Sequence, residues 1–132
     1  MKNLLRTVCA IGLTAAASVP AFAFQAPVGT WEIEMRDSRY DVVMCGDDGQ
    51  SLCGTLIWLG NGADSPENLP YLNTLLIDHA VPTGPNEWKG ALHIYGQTAQ
   101  GTITQVDDNW ITLKGCVLMV VCKTYQMYRY GN

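Results

Sequence analysis

Between Glu87 and Gly115 the chain reads EWKGALHIYGQTAQGTITQVDDNWITLKG, and this stretch decides the fold class. Three runs, Glu87–Tyr95, Ala99–Val106 and Trp110–Gly115, are rich in β-branched and aromatic residues. Gly96-Gln97-Thr98 and Asp107-Asp108-Asn109 divide them. Glycine turns at positive φ without steric cost, and Asp or Asn side chains hydrogen-bond their own backbone, so both dividers are turn chemistry. Strands punctuated every ~8–12 residues are the pattern of an antiparallel sandwich or barrel.

Outward from there the pattern holds. Cys122–Tyr130 is a further strand. Upstream, Trp31, Ile33 and Met35 share one face while Glu32 and Glu34 take the other, as a half-buried strand requires. Tyr40–Cys45 and Ser51–Leu59 flank the Asp47-Asp48-Gly49 turn, and a short strand is expected over Leu75–Asp78. Pro82-Thr83-Gly84-Pro85-Asn86 then punctuates again, and Gly60–Asn73, with Pro66 and Pro70, is the long loop. No window of 11 residues carries a 3.6-residue apolar period. The expectation is all-β: a small antiparallel barrel of about eight strands, its interior filled by side chains or holding one small ligand.

The first 23 residues read as a signal peptide. Lys2 and Arg6 precede an apolar run from Val8 to Ala17, Pro20 breaks it, and Ala21-Phe22-Ala23 fits the small-x-small cleavage rule. The run is about half the ~20 residues of a spanning helix. Residues 24–132 are then one domain, expected in the periplasm of a Gram-negative bacterium, with secretion as the second choice. Loss of Lys2 and Arg6 from the eight basic residues leaves six against twelve acidic ones, a formal charge of −6. Such a balance repels nucleic-acid phosphate, and 48% apolar residues exclude a disordered acidic tail.

Removal of Cys9 leaves Cys45, Cys53, Cys116 and Cys122, an even count that in an exported chain points to two disulfides. Four cysteines allow three pairings. Cys45 and Cys53 sit symmetrically about Gly49, where a hairpin would set them opposite each other, and Cys116 and Cys122 bracket the last connection. Local pairing is the best of the three. A zinc site lacks the CxxC spacing and a nearby histidine, so no metal and no cofactor are expected.

Three stretches carry a family resemblance: Gly29-Thr30-Trp31, then Leu52-Cys53-Gly54-Thr55-Leu56-Ile57-Trp58-Leu59, then the series Trp88-Lys89-Gly90, Leu113-Lys114-Gly115-Cys116, Cys122-Lys123 and Arg129. Together they resemble the bacterial domain of unknown function 2147, small exported proteins regarded as lipocalin-like barrels. In lipocalins a first-strand Gly-x-Trp packs its indole at the closed barrel end beneath an Arg from the last strand. The resemblance assigns those barrel-closing roles to Gly29, Trp31 and Arg129.

No nucleophile with a base and an orienting partner can be assembled. Ser38, Ser51 and Ser65 lie in turn-like surroundings, and His79 and His93 read as satisfied imidazoles before they read as ligands or bases. An enzyme is therefore not expected. Trp58 and Trp88 are candidates to line a cavity, with core packing as the alternative. The link Val117-Leu118-Met119-Val120-Val121 is either a contact lip for an apolar ligand, a membrane surface or a protein partner, or a plug folded into the barrel. The expected function is binding of a small apolar molecule or an envelope component by a monomer. Its alternative is a protein–protein module, inhibitor-like or an envelope-stress factor, using the acidic surface or the Val117–Val121 loop.

Overall fold

The computed structural model describes residues 11–12, 24–118 and 120–131. The expected signal peptide lies outside the described residues apart from Ile11 and Gly12, and so does Met119. Eight strands follow in chain order: β1 (Gly29–Ile33), β2 (Ser38–Cys45), β3 (Ser51–Leu59), β4 (Leu75–Gly84), β5 (Glu87–Ile94), β6 (Gln97–Asp107), β7 (Trp110–Val117) and β8 (Val121–Arg129). Each pairs antiparallel with its sequence neighbours, and β8 returns to β1 through Trp31↔Arg129, Glu32↔Tyr128 and Ile33↔Met127. The sheet is thereby a closed eight-stranded barrel, the architecture expected from the turn spacing.

Period-two alternation fills the interior. In β6, Ala99, Gly101, Ile103 and Gln105 are buried and their neighbours are not, and β7 buries Ile111, Leu113 and Gly115 in the same way. Trp31, Val42, Leu52, Ile77, Ile103, Ile111 and Met127 are fully buried. A row of glycines, Gly90↔Gly101 and Gly101↔Gly115, crosses three adjacent strands. Leu92 lies against that row: a Cβ at Gly101 would stand 2.3 Å from its Cγ. The side chains missing at Gly101 and Gly115 make the space that the leucine occupies, and the one missing at Gly90 lets Ala80 approach.

Several boundaries differ from the sequence expectation, each for a local reason. Tyr95 and Gly96 both take positive φ, 45° and 81°, and Ile94 pairs with Gln97. This two-residue turn has the handedness that suits strand twist, so β6 starts at Gln97 and not at Ala99. The chain turns after Ile33, where Arg36 N donates to Ile33 O at 2.8 Å. Met35 therefore leaves the Trp31 face and is 53% exposed. Strand β4 runs on through Pro82, which pairs with Trp88 beyond the last β3 partner, Ala80. Its missing N–H removes no bond to β3, which is why a proline is tolerated there. Cys45 pairs with Ser51 and Cys53 with Val43, so the two cysteines are diagonal neighbours and not opposite, whereas Cys116 faces Cys122 directly.

The β1–β2, β3–β4, β5–β6 and β7–β8 connections all lie at one end of the barrel. The segment entering β1 lies at the other.

Candidate functional site

The two ends are built differently. At the end where β1 begins, Trp31 is fully buried and its indole N–H donates to Pro27 O at 3.1 Å. Gln105 donates to Gln25 O at 2.6 Å, and Gln25 N donates to an Asp108 carboxylate oxygen at 2.6 Å. Residues 25–28 are thus strapped over this end. Arg129 lies across Trp31, 4.5 Å from guanidinium carbon to ring centroid, and donates to Val28 O and Asp108 O at 2.7 and 2.9 Å. A Cβ at Gly29 would come within 3.0 Å of Arg129 Nη1, so the glycine makes room for the guanidinium. Trp31 and Arg129 also face each other in the β1–β8 pairing that closes the barrel.

At the opposite end a cavity of about 250 Å³ opens between the strands. Ile33, Leu76, Leu92 and Leu113 form its buried floor, and Tyr40, Tyr95 and Tyr125 stand in its wall. Asp37, Ser38 and Lys123 supply polar groups at the edge. Burial drives the Tyr40 phenol far above the usual tyrosine range, with the nearby Tyr95 and Asp37 adding to the rise and the Ser38 hydroxyl opposing it. Tyr95 is raised as well, first by burial and then by Asp37 and Tyr125. Both stay neutral O–H groups that donate and accept hydrogen bonds inside an apolar cup. An exposed Lys123 ammonium lies 5.2 Å from the Tyr125 ring.

The tryptophans expected at a cavity do not line this one. Trp88 is buried in the core, donating to Gln50 O at 3.1 Å. Between β2 and β3 the register moves from Arg39↔Trp58 to Tyr40↔Leu56, so two residues of β3 oppose one of β2. That bulge turns Trp58 out of the barrel. There Arg39 is sandwiched, 3.9 Å from the Trp58 ring and 3.8 Å from that of Tyr130, with its Nε donating to Glu32 at 2.8 Å. The cavity tyrosines follow from strand parity: Tyr40 shares a face with Val42, and Lys123 and Tyr125 share one with Met127.

The cysteines form Cys45–Cys53 and Cys116–Cys122 disulfides. His79 lies beside the first, within 4.8 Å, but bonded sulfurs offer no thiolate to a metal. Asp78 bridges both imidazoles, at 2.7 Å from His79 Nδ1 and 3.0 Å from His93 Nε2. His93 Nδ1 lies 3.0 Å from Thr98 Oγ1. Hydrogen bonds from His79 and then His93 hold the Asp78 carboxyl below its usual range. The line fastens β4, β5 and β6 together on the outer surface. Val117, Leu118, Val120 and Val121 stand on the rim of the open end, with Leu118 86% and Val120 84% exposed.

A family model described as "Uncharacterized protein conserved in bacteria (DUF2147)" matches residues 29–129. Among solved structures, protein HP1028 from Helicobacter pylori, described as belonging to the lipocalin family, matches with a TM-score of 0.60 at 14% identity. The match covers 83% of this chain and 85% of that one. At that identity the likeness is one of fold. A comparison with curated proteins finds no match.

Proposed function

The chain belongs to the DUF2147 family of uncharacterized bacterial proteins, and from that premise we propose that it is a non-enzymatic binding barrel for a small, largely apolar ligand. The observation that carries this reading is the open-end cavity of about 250 Å³ above a filled core. Apolar walls with a few convergent polar groups are the usual make-up of a small-molecule site, and the volume lies below the ~300–1,000 Å³ of drug-sized pockets. The ligand's apolar part rests on Ile33, Leu92 and Leu113. Its polar end meets the Tyr40 and Tyr95 hydroxyls. Two disulfides, with no helix among the described residues long and apolar enough to cross a membrane, fit an exported protein, and we place it in the periplasm.

Titration with the neutral fluorophore N-phenyl-1-naphthylamine tests the site. Saturable binding is expected, lost in Leu113→Trp, whose indole fills the cup, while the far-ultraviolet spectrum stays unchanged. Absence of saturable binding to the parent protein, or full retention in Leu113→Trp, sinks the reading. Native mass spectrometry of protein purified from periplasm would then identify the ligand it carries.

A further inference from the structure

We propose that the hairpin between β7 and β8 inserts its tip into the surface of a phospholipid bilayer and holds the open mouth of the barrel against it. This rests on the mouth being the ligand site. The segment from Val117 to Val121 contains no charged residue, and Leu118, Val120 and Val121 are 86%, 84% and 60% exposed. An exposed leucine has no core to stabilise. Leu118 nevertheless takes a φ of +53°, a region that disfavours bulky side chains and that Gly or Asn would occupy more easily. A leucine kept there at conformational cost points to a use for its side chain outside the fold.

Shape selects the occupant. The patch is the convex tip of one hairpin and not a groove. A few aliphatic side chains fall far short of the ~1,200–2,000 Å² buried in a stable protein interface. They do suit interfacial insertion, in which apolar residues sink to the acyl boundary while polar ones stay at headgroup level. Directly behind the tip, exposed Lys123 and the aromatic Tyr125 occupy that second level, where lysine snorkels and tyrosine is enriched. The Cys116–Cys122 bond staples the base of the hairpin, so little ordering is lost on insertion. A smaller hollow of about 190 Å³, lined by Val117 and Val121, shares Ile94, Lys123 and Tyr125 with the mouth cavity. An apolar ligand leaving the bilayer along it reaches the mouth beside apolar walls.

The test is co-sedimentation of the oxidised protein with vesicles of phosphatidylethanolamine and phosphatidylcholine, in low and in high salt. With six basic against twelve acidic side chains in residues 24–132, a formal charge of −6, the body gains nothing from headgroup charge, so binding should survive high salt. Leu118→Asp should weaken it at least about ten-fold, the scale of burying one leucine. Leu118→Asn should weaken it similarly while thermal stability holds or rises, because asparagine accepts the positive φ. A purely structural leucine would give the reverse: lower stability and unchanged sedimentation. Parent protein that stays in the supernatant, or variants that sediment equally, overturn the proposal. A dimer broken by Leu118→Asp without vesicle binding overturns it in favour of a second copy. N-phenyl-1-naphthylamine binding in solution, followed in parallel, reports on the cavity alone and should be unchanged in both Leu118 variants.

Discussion

Arg129 on the last strand lies over Trp31 on the first, with 4.5 Å between guanidinium carbon and indole centroid, at the register point where the two strands pair. One side chain therefore joins the seam of the barrel, covers its buried tryptophan and holds the Val28 carbonyl. Arg129→Ala should lower stability by about 1–3 kcal/mol, from cation–π attraction, packing and hydrogen bonds lost together. Arg129→Lys should recover little, since an ammonium cannot stack and reach two carbonyls as the planar fork does. Urea unfolding measures both, and an alanine variant as stable as the parent would remove the seam role.

Cys116 and Cys122 close a short loop across directly opposed positions. Replacing both with serine should cost about 2–3 kcal/mol by chain-entropy reasoning. It should also loosen the rim hairpin, seen as faster amide exchange there, while the Trp31 end stays protected. Thiol titration of the denatured parent should find no free cysteine in residues 24–132.

The Asp78 carboxyl is held below its ordinary range by His79 and then His93. Its contribution is present above the unfolded-state value near 4 and is lost as pH falls through the lower folded value. Asp78→Asn should flatten that acid limb in a melting-temperature profile. The effect should be small, because the carboxyl is partly exposed and screened. An unchanged acid limb would show that the two imidazole contacts do not persist in solution.

Tyr40 acts at the other end of the pH scale. Its raised phenol is favourable below the unfolded-state value near 10, and that contribution is lost as pH climbs toward the folded value. Ultraviolet titration should show some of the six tyrosines ionising only as the barrel opens. Tyr40→Phe should shift alkaline unfolding upward and weaken ligands that carry a polar end by about three- to ten-fold, the worth of one neutral hydrogen bond. Equal affinity for such ligands would move the polar contact to Tyr95 or Tyr125.

Eight strands were legible because alternation and turn chemistry are local: Ala99, Ile103 and Ile111 announce an inner face, and Asp108-Asn109 a turn, without knowledge of any partner. Bulges are not local. The positive φ of His79 and the extra residue beside Trp58 answer to strands that must bend to close, and one such residue carries a tryptophan from the inner face to the outer. The same dependence hid the cavity. Leu92 fills the space left by Gly101 and Gly115 in the middle of the barrel, whereas a cavity opens between Tyr40 and Tyr125 at the mouth. That contrast appears only once strands distant in sequence are set side by side. Asp78 between two imidazoles likewise requires the β4–β5 register.

Seven of the eight strand pairings join consecutive strands, and one joins the first to the last. Most of the sheet can form from contacts near in sequence, which zip quickly, whereas the final pairing must bring the two ends of the domain together across the largest loop-closure entropy in the chain. Until it does, β1 and β8 are unpaired edges, open to another chain's strand. On that entropy the seam is expected to be the last part of the sheet to form and the first place at which two half-folded copies would meet.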